Sequence, residues 1–250
     1  MQFENKVVIV TGGSRDIGRA VSIKLAQQGA KVVINYHKGQ DAAQETLKLV
    51  QQAGGEAIIA YADMTNAAEV DAMVQATRNA FGNDIHLLVN VAGGLVARKT
   101  TLEMDVDFWD HVMAINVRSV FLACKSVLPF MPEGGSIVNF SSLAGRDGGG
   151  GGASAYATAK GAVLTYTRAL AKELGPKKIR VNAVAPGMIA TSFHDNFTKP
   201  EIRANVANAT PLKREGGAEE VADLVAYLAG NASSFITGAN IDINGGVAFS

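Results

Sequence analysis

The chain has 250 residues, 48% of them hydrophobic and 18% charged, which suits one large α/β domain with a substantial core. Basic and acidic residues number 23 each, so no net field draws the chain to nucleic acid or to an anionic membrane. One cysteine, Cys124, excludes an internal disulfide and reads as a buried thiol; MQFENKVVIV lacks the basic head of a signal peptide, and no apolar run is read as reaching the ~18 residues of a membrane span, so a cytoplasmic protein is expected.

In chain order, VVIVT from Val7 is a β-branched run that feeds GGSRDIG, and a helical pattern opens near Ile17 and closes at Gly29. A strand, a glycine turn and a helix N-terminus together form a pyrophosphate cradle, because the backbone approaches closely and unpaired N–H groups face the anion. Its candidate residues are Gly12, Ser14, Arg15, Asp16, Ile17 and Gly18. Asp16 is an acid in a turn that should hold an anion. Aspartate tolerates left-handed backbone and caps helices well, so it is expected to cap its own helix and to point away from the phosphates.

KVVINY predicts the second strand. A site for NAD places an acid about 20 residues past the turn, on the ribose 2′-hydroxyl. Here no acid follows until Asp41, while Arg15, His37 and Lys38 are placed to meet a 2′-phosphate, which favours NADPH over NADH. AIIAYAD predicts the third strand, ending at Asp63 and Met64, and a helix runs from an N-cap at Asn66 to Gly82. IHLLVNVAG predicts the fourth strand and leads through Asn90, Ala92, Gly93 and Gly94 to a loop bearing Arg98 and Lys99. A long apolar helix, FWDHVMAINVRSVFLACKSVLPFM, carries Asn116. GSIVNFSS predicts the fifth strand and ends at Ser142; Arg146 and the run Gly148 to Gly152 follow, the run being read as a flexible loop near the sheet's edge.

SAYATAKGAV then puts Tyr156 and Lys160 on one helix face. IRVNAVAPG predicts the sixth strand, with Pro186, Gly187, Ile189 and Thr191 in or after its terminal turn. The polar segment TSFHDNFTKPEIRANV, around 190–210, reads as a mobile lid anchored by Phe193 and Phe197, and NIDINGG supplies the seventh strand. The first six strands are nearly continuous hydrophobics, as parallel strands covered on both faces require. Such alternation predicts a single doubly wound domain over residues 1–250, with ligands beyond the strand carboxyl ends.

Hydride reduction of a carbonyl creates an alkoxide, which needs a proton donor against the oxygen. A tyrosine titrates near 10, too high for easy exchange at neutrality, and a neighbouring ammonium stabilises its phenolate. A serine hydroxyl polarises the same oxygen. The spacing of Ser142, Tyr156 and Lys160 fits that chemistry.

The ordered set Thr-Gly-x-x-x-Asp-x-Gly, Asn-Val-Ala-Gly, Asn116, Ser142, Tyr156-x-x-x-Lys160 and Pro186-Gly187 resembles the short-chain dehydrogenase/reductase family over essentially the whole chain. Three departures stand out: Asp16 for glycine, Val91 for asparagine, and a Ser142-to-Tyr156 spacing one residue longer than usual. The resemblance implies a Rossmann-type sheet of about seven strands with helices on both faces and a homotetrameric NAD(P)H-dependent carbonyl reductase. In it Tyr156 is the acid/base, and Lys160 lowers its pKa and holds the nicotinamide ribose. Ser142 positions the carbonyl and Asn116 supports a proton-relay water. Asp63 meets the adenine amino group, and Pro186, Gly187, Ile189 and Thr191 orient the nicotinamide.

Arg98 and Arg146 near a carbonyl-reducing site point to a small anionic substrate, with Gly94, Ser142, Tyr156 and His194 beside it. NVAGGLVARKT, LAGRDGGG and TSFHDNFTKPE are similar to bacterial reductases that convert 4-deoxy-L-erythro-5-hexoseulose uronate to 2-keto-3-deoxy-gluconate. A 3-oxoacyl-[acyl-carrier-protein] reductase is the enzymatic alternative, although PFMPEGGS offers an acid and no base for docking an acidic carrier. A non-catalytic NAD(P) sensor is the alternative of another class. His86 and His111 lack metal-ligand spacing, so no metal is expected.

Overall fold

The structure is a computed structural model and describes residues 1–249. Among these, seven parallel strands form one sheet in the order β3-β2-β1-β4-β5-β6-β7. They are β1 (Val7–Thr11), β2 (Lys31–Tyr36), β3 (Glu56–Tyr61), β4 (Leu87–Asn90), β5 (Ser136–Phe140), β6 (Arg180–Pro186) and β7 (Asn240–Ile243). Each predicted strand is present; β2 coincides with KVVINY, and the others are a little shorter than the runs that predict them. The helices are α1 (Asp16–Gln27), α2 (Gln40–Gln52), α3 (Ala67–Phe81), α4 (Val106–Met113), α5 (Ser119–Val127), α6 (Ala144–Asp147), α7 (Ser154–Leu174), α8 (Ser192–Phe197), α9 (Pro200–Ala209) and α10 (Ala218–Ala229). The third begins as its sequence requires, with Asn66 Oδ1 accepting from the Ala68 and Glu69 amides at 3.1 and 3.4 Å.

Two-sided burial explains the continuous hydrophobic strands. Val8 and Val10 pack with Val21 and Leu25 of α1 and with Val221 and Val225 of α10. Ile9 points to the other face, into a core with Met73 of α3, Val127 of α5 and Leu170 of α7. Burial there pushes the Cys124 thiol up to about 12, so it is an inert core residue.

The expectation that no segment has membrane-span dimensions is corrected. Val106–Phe130 is 25 residues long and holds an 18-residue stretch with a mean hydropathy of 1.4, apolar and long enough by composition to cross a bilayer. Part of its apolar surface is spent inside the fold: Val120, Ala123, Cys124 and Val127 join the core under the sheet, and Val112 packs with Ala155 and Ala159 of α7. The segment is also not one regular helix, because Ala114–Arg118 forms a π-helical turn between α4 and α5. Such turns accompany functional sites, and this one carries Asn116.

The winding reverses between β1 and β4, where Thr11 lies level with Asn90. The strand carboxyl ends therefore open a crevice there, as doubly wound sheets do. The segment after β6 leaves and returns at one clamp: Ile189 bridges Gly216, with Ala190 N–H donating to the Gly216 carbonyl and Gly216 N–H to Met188, at 2.9 and 3.0 Å. Between these points, over the segment expected to act as a lid, lie two short helices, α8 and α9.

Candidate active site

One cavity of about 1030 Å³ runs along the carboxyl ends of the strands, from the Gly12 turn at one end to Ser142 and Tyr156 at the other. At the turn, Gly12 sits at φ +63° and a Cβ there would lie 3.1 Å from the Ala92 backbone. A Cβ on Gly18 would fall 2.1 Å from the Gly12 carbonyl oxygen, so α1 can start this close to β1 only with glycine. The turn is held by a residue not anticipated from sequence: Asn35, buried in β2, accepts from the Gly12 amide at 3.0 Å and donates to the Ala62 carbonyl at 3.2 Å. A polar residue inside VVINY carried that signal, since buried amides must be hydrogen-bonded.

Asp16 has the expected left-handed backbone, φ +49°, but does not cap α1, whose N-cap Arg15 makes no side-chain capping bond. Instead its carboxylate accepts from the Ser192 backbone amide at 3.0 Å and from the Ser192 hydroxyl at 2.5 Å. The expected capping role is thus corrected: Asp16 ties the turn to the first residue of the lid helix α8.

Ser14, Arg15, Ile17, His37, Lys38, Asp63 and Met64 all line the same end of the cavity. His37 Nε2 lies 3.8 Å from the Asp63 carboxylate. Burial works to raise the Asp63 pKa, but hydrogen bonds from the Thr65 amide and hydroxyl, with His37 and His111 nearby, leave it below the ordinary value. His111, set aside at the sequence level because it lacks metal-ligand spacing, also borders the cavity.

At the far end, Lys160 is buried in α7 and its Nζ donates to the Phe140 carbonyl at 2.8 Å, at the end of β5. The same ammonium lies 5.7 Å from the centre of the Tyr156 ring. Burial pushes Lys160 down to about 8. It pushes the Tyr156 phenol up from its ordinary value, while a hydrogen bond with Ser142 acts in the opposite direction. The expected lowering of the phenol is therefore corrected for the protein alone: desolvation outweighs the help its neighbours give. Asn116 Nδ2 donates to the Gly94 carbonyl and its Oδ1 accepts from the Gly94 amide, at 2.9 and 3.0 Å. A Cβ on Gly93 would come within 2.6 Å of Asn116 Oδ1 and 3.3 Å of Lys160 Nζ, so Gly93 passes both residues closely only because it lacks a side chain. Pro186, Gly187, Ile189 and Thr191 border this region.

Three sequence-level assignments fall outside the cavity, Asn116 among them, its side chain being spent on Gly94 and Val112. Asn90 is buried behind the site, its Nδ2 donating to Asn139 Oδ1 at 2.9 Å across neighbouring strands. Arg146 does not reach the cavity: its Nε pairs with Asp242 at 2.9 Å and its Nη2 donates to the Asn240 carbonyl at 2.9 Å, both on β7. Opposite charge close by in a half-buried setting holds the side chain there. Arg98 does border the cavity; its Nε donates to the Phe197 carbonyl at 3.2 Å and its Nη1 to Gly151 at 2.9 Å. Its Nη2 has no protein partner among the described residues. The glycine run is corrected too. It follows the interior strand β5 rather than an edge strand, and the Lys99 amide fastens it through Gly152 at 3.0 Å. A Cβ at Gly152, φ +72°, would stand 3.0 Å from Arg98 Cβ, so the run makes room for Arg98.

The segment after β6 borders this end. The Phe193 ring lies 6.0 Å from that of Tyr156 and 5.2 Å from that of Phe197. Burial and the charge of Arg203 hold His194 below the ordinary imidazole range, and its Nδ1 lies 3.0 Å from Thr198 Oγ1. Arg203 pairs with both Asp195 and Glu215, bracing α8 against the returning chain.

These residues fit a nicotinamide dinucleotide: a glycine cradle for its pyrophosphate, cations at the adenosine end, and a buried lysine with a tyrosine at the other. Comparison with known proteins agrees. Residues 12–248 match the family model described as enoyl-(acyl carrier protein) reductase. The chain is 39% identical over 245 residues to an uncharacterized oxidoreductase, YgfF, of Escherichia coli, covering 96% of this chain and 99% of that one. It is 39% identical over 246 residues to a 3-oxoacyl-[acyl-carrier-protein] reductase of Synechocystis, covering 97% and 96% respectively. A short-chain dehydrogenase of Burkholderia cenocepacia solved in complex with NADP is 33% identical and superposes with a TM-score of 0.93 over 99% of each chain.

Proposed function

Because the chain belongs to the short-chain dehydrogenase/reductase family and is an NAD(P)-dependent oxidoreductase, we propose that it uses NADPH to reduce the aldehyde of a small anionic substrate, a keto-uronate such as 4-deoxy-L-erythro-5-hexoseulose uronate. The observation that carries the chemistry is the meeting of Ser142, Tyr156 and Lys160 at one end of a cavity whose other end is the glycine turn, with Asn116 buried behind them on the Gly94 backbone. The bound cofactor supplies the hydride. Tyr156 donates its phenolic proton to the carbonyl oxygen, and Ser142 holds that oxygen by a second hydrogen bond. Lys160, anchored on Phe140, contributes the positive charge that favours the phenolate left behind. Asn116 fixes the Gly93–Gly94 backbone beside Lys160.

NADPH is favoured by Arg15, His37 and Lys38 around the end of β2, where the chain offers no acid at the position that binds a ribose 2′-hydroxyl. Lys38→Ala is expected to raise KM for NADPH about ten-fold while leaving KM for NADH nearly unchanged, as loss of a charge-assisted phosphate contact requires. Equal effects on both cofactors in initial-rate measurements would remove Lys38 from 2′-phosphate recognition.

Arg98 supports the anionic substrate. With two donors spent on backbone carbonyls, it is held in place and still offers Nη2 to a carboxylate. Arg98→Ala is expected to raise KM for the uronate about ten-fold or more and to leave an uncharged aldehyde little affected. The relative from Synechocystis supports a second reading, reduction of a 3-oxoacyl thioester. Against it, the one charged residue of PFMPEGGS, in the segment before β5, is Glu133, an acid where an acidic carrier would dock. Initial rates with NADPH and NADH against the uronate, a 3-oxoacyl thioester and a simple aldehyde decide between them. Turnover confined to the thioester would overturn the uronate assignment.

We also propose a homotetramer working in the cytoplasm. Trp109 and Phe121 are partly exposed on α4 and α5, and Tyr227 and Phe249 are exposed on α10 and the C-terminal tail, giving two apolar surfaces for self-association.

A further inference from the structure

We propose that Asp16 is a positioning residue that straps the lid to the cofactor turn, so that loading and release of the dinucleotide require its contact with Ser192 to part. Asp16 opens α1 on one wall of the cavity, and Ser192 opens α8 on the other. The two are 176 residues apart in the chain and joined by two hydrogen bonds. Arg15 completes the knot: its Nη1 donates to the Ser192 hydroxyl at 3.1 Å, and its Nε lies 3.8 Å from the Asp16 carboxylate.

This arrangement resolves the presence of an acid in an anion-binding turn. A free carboxylate here would repel a pyrophosphate. This one faces two donors and a guanidinium, so its charge is spent on holding the lid. Its left-handed backbone, which a glycine would adopt without strain, is what turns the side chain toward the lid. The lid's base is already clamped at Ile189 and Gly216, and Arg98 holds Phe197. With Asp16 on Ser192, the segment carrying Thr191, Phe193 and His194 is fixed at its base, its start and its far end. A cofactor reaching from the turn to Tyr156 lies between these walls, and the strap bridges them beside the turn.

The inference rests on dinucleotide binding in this cavity but not on the identity of the carbonyl substrate. It is tested on the full chain with Asp16→Gly, which suits the positive φ, with Ser192→Ala, which removes only the hydroxyl contact, and with the double variant. Two readouts are needed: the NADPH dissociation rate by stopped-flow fluorescence, and hydrogen exchange of the Ser192 region without cofactor. Asp16→Gly is expected to accelerate NADPH release about ten-fold or more and to deprotect the Ser192 amide, since two hydrogen bonds to a charged group are lost. Ser192→Ala is expected to accelerate release less, and the double variant to match Asp16→Gly alone, because both act on one contact. Additive effects, unchanged release, or slower release in Asp16→Gly through relief of phosphate repulsion would each overturn the strap. Failure of the parent protein to bind NADPH would instead overturn the cofactor reading; the exchange measurement on the apoprotein then still reports whether Asp16 holds the lid.

Discussion

Tyr156→Phe is expected to lower kcat about a thousand-fold or more while changing the Kd for NADPH less than about two-fold. Removing one oxygen removes the proton donor, and general acid catalysis by a positioned group contributes roughly 10²–10⁴ in rate. The ring itself stays. It remains packed near Phe193 and beside Lys160, so the cavity keeps its shape. Steady-state oxidation of NADPH and a fluorescence titration separate the two effects. A variant that binds cofactor normally and still turns over near the parental rate would strip Tyr156 of its role and with it the proton-transfer half of the mechanism.

Lys160→Met is expected to pull activity and stability in opposite directions. Without the ammonium only the hydrogen bond with Ser142 opposes the burial that raises the Tyr156 pKa, and kcat/KM should fall about a hundred-fold. The fold, however, bears a cost for that charge. Burial takes Lys160 from 10.5 to about 8, a difference on the order of 3 kcal/mol between its protonation states. The folded pKa lies below the unfolded one, so between about pH 8 and 10.5 the unfolded chain binds more protons, and stability rises with pH across that window. Below about pH 8 both states are protonated and the penalty is present in full. The apoprotein of Lys160→Met is therefore expected to be more stable than the parent at pH 7 by about 1–3 kcal/mol in urea denaturation, the lost bond to Phe140 offsetting part of the gain. That advantage should shrink as pH rises toward 10. A variant less stable than the parent at pH 7 would mean that the hydrogen bond, and not the desolvated charge, dominates at this position.

Much of the fold was legible because its physics is local. Strands such as VVIVT and VVINY are apolar on both faces since each side meets helices, and the α3 boundaries follow from one cap at Asn66 and one glycine at Gly82. The reacting groups were legible for a similar reason, since Tyr156 and Lys160 need only one turn of helix to come together. What the sequence hid depends on distant partners. Nothing in LAGRDGGG says that Arg146 meets Asp242, or that the glycine run gives space to Arg98. Asp16 tolerates its backbone for the reason expected, yet its side chain serves a helix at the other end of the chain. Asn35 was missed although a buried asparagine in a strand always asks for a partner. The apolar α4–α5 segment looked like an ordinary helix, and the π turn around Asn116 forms where its side chain bonds the Gly94 backbone.

A crystal structure of the protein with oxidised cofactor and the alcohol product in place tests the central claim most directly. The account predicts the Tyr156 hydroxyl within hydrogen-bond distance of the product's carbinol oxygen, about 2.6–3.2 Å, with that carbon against the nicotinamide ring and Ser142 on the same oxygen. A phenol turned away from that oxygen, with the ring held at some other point of the cavity, would contradict it.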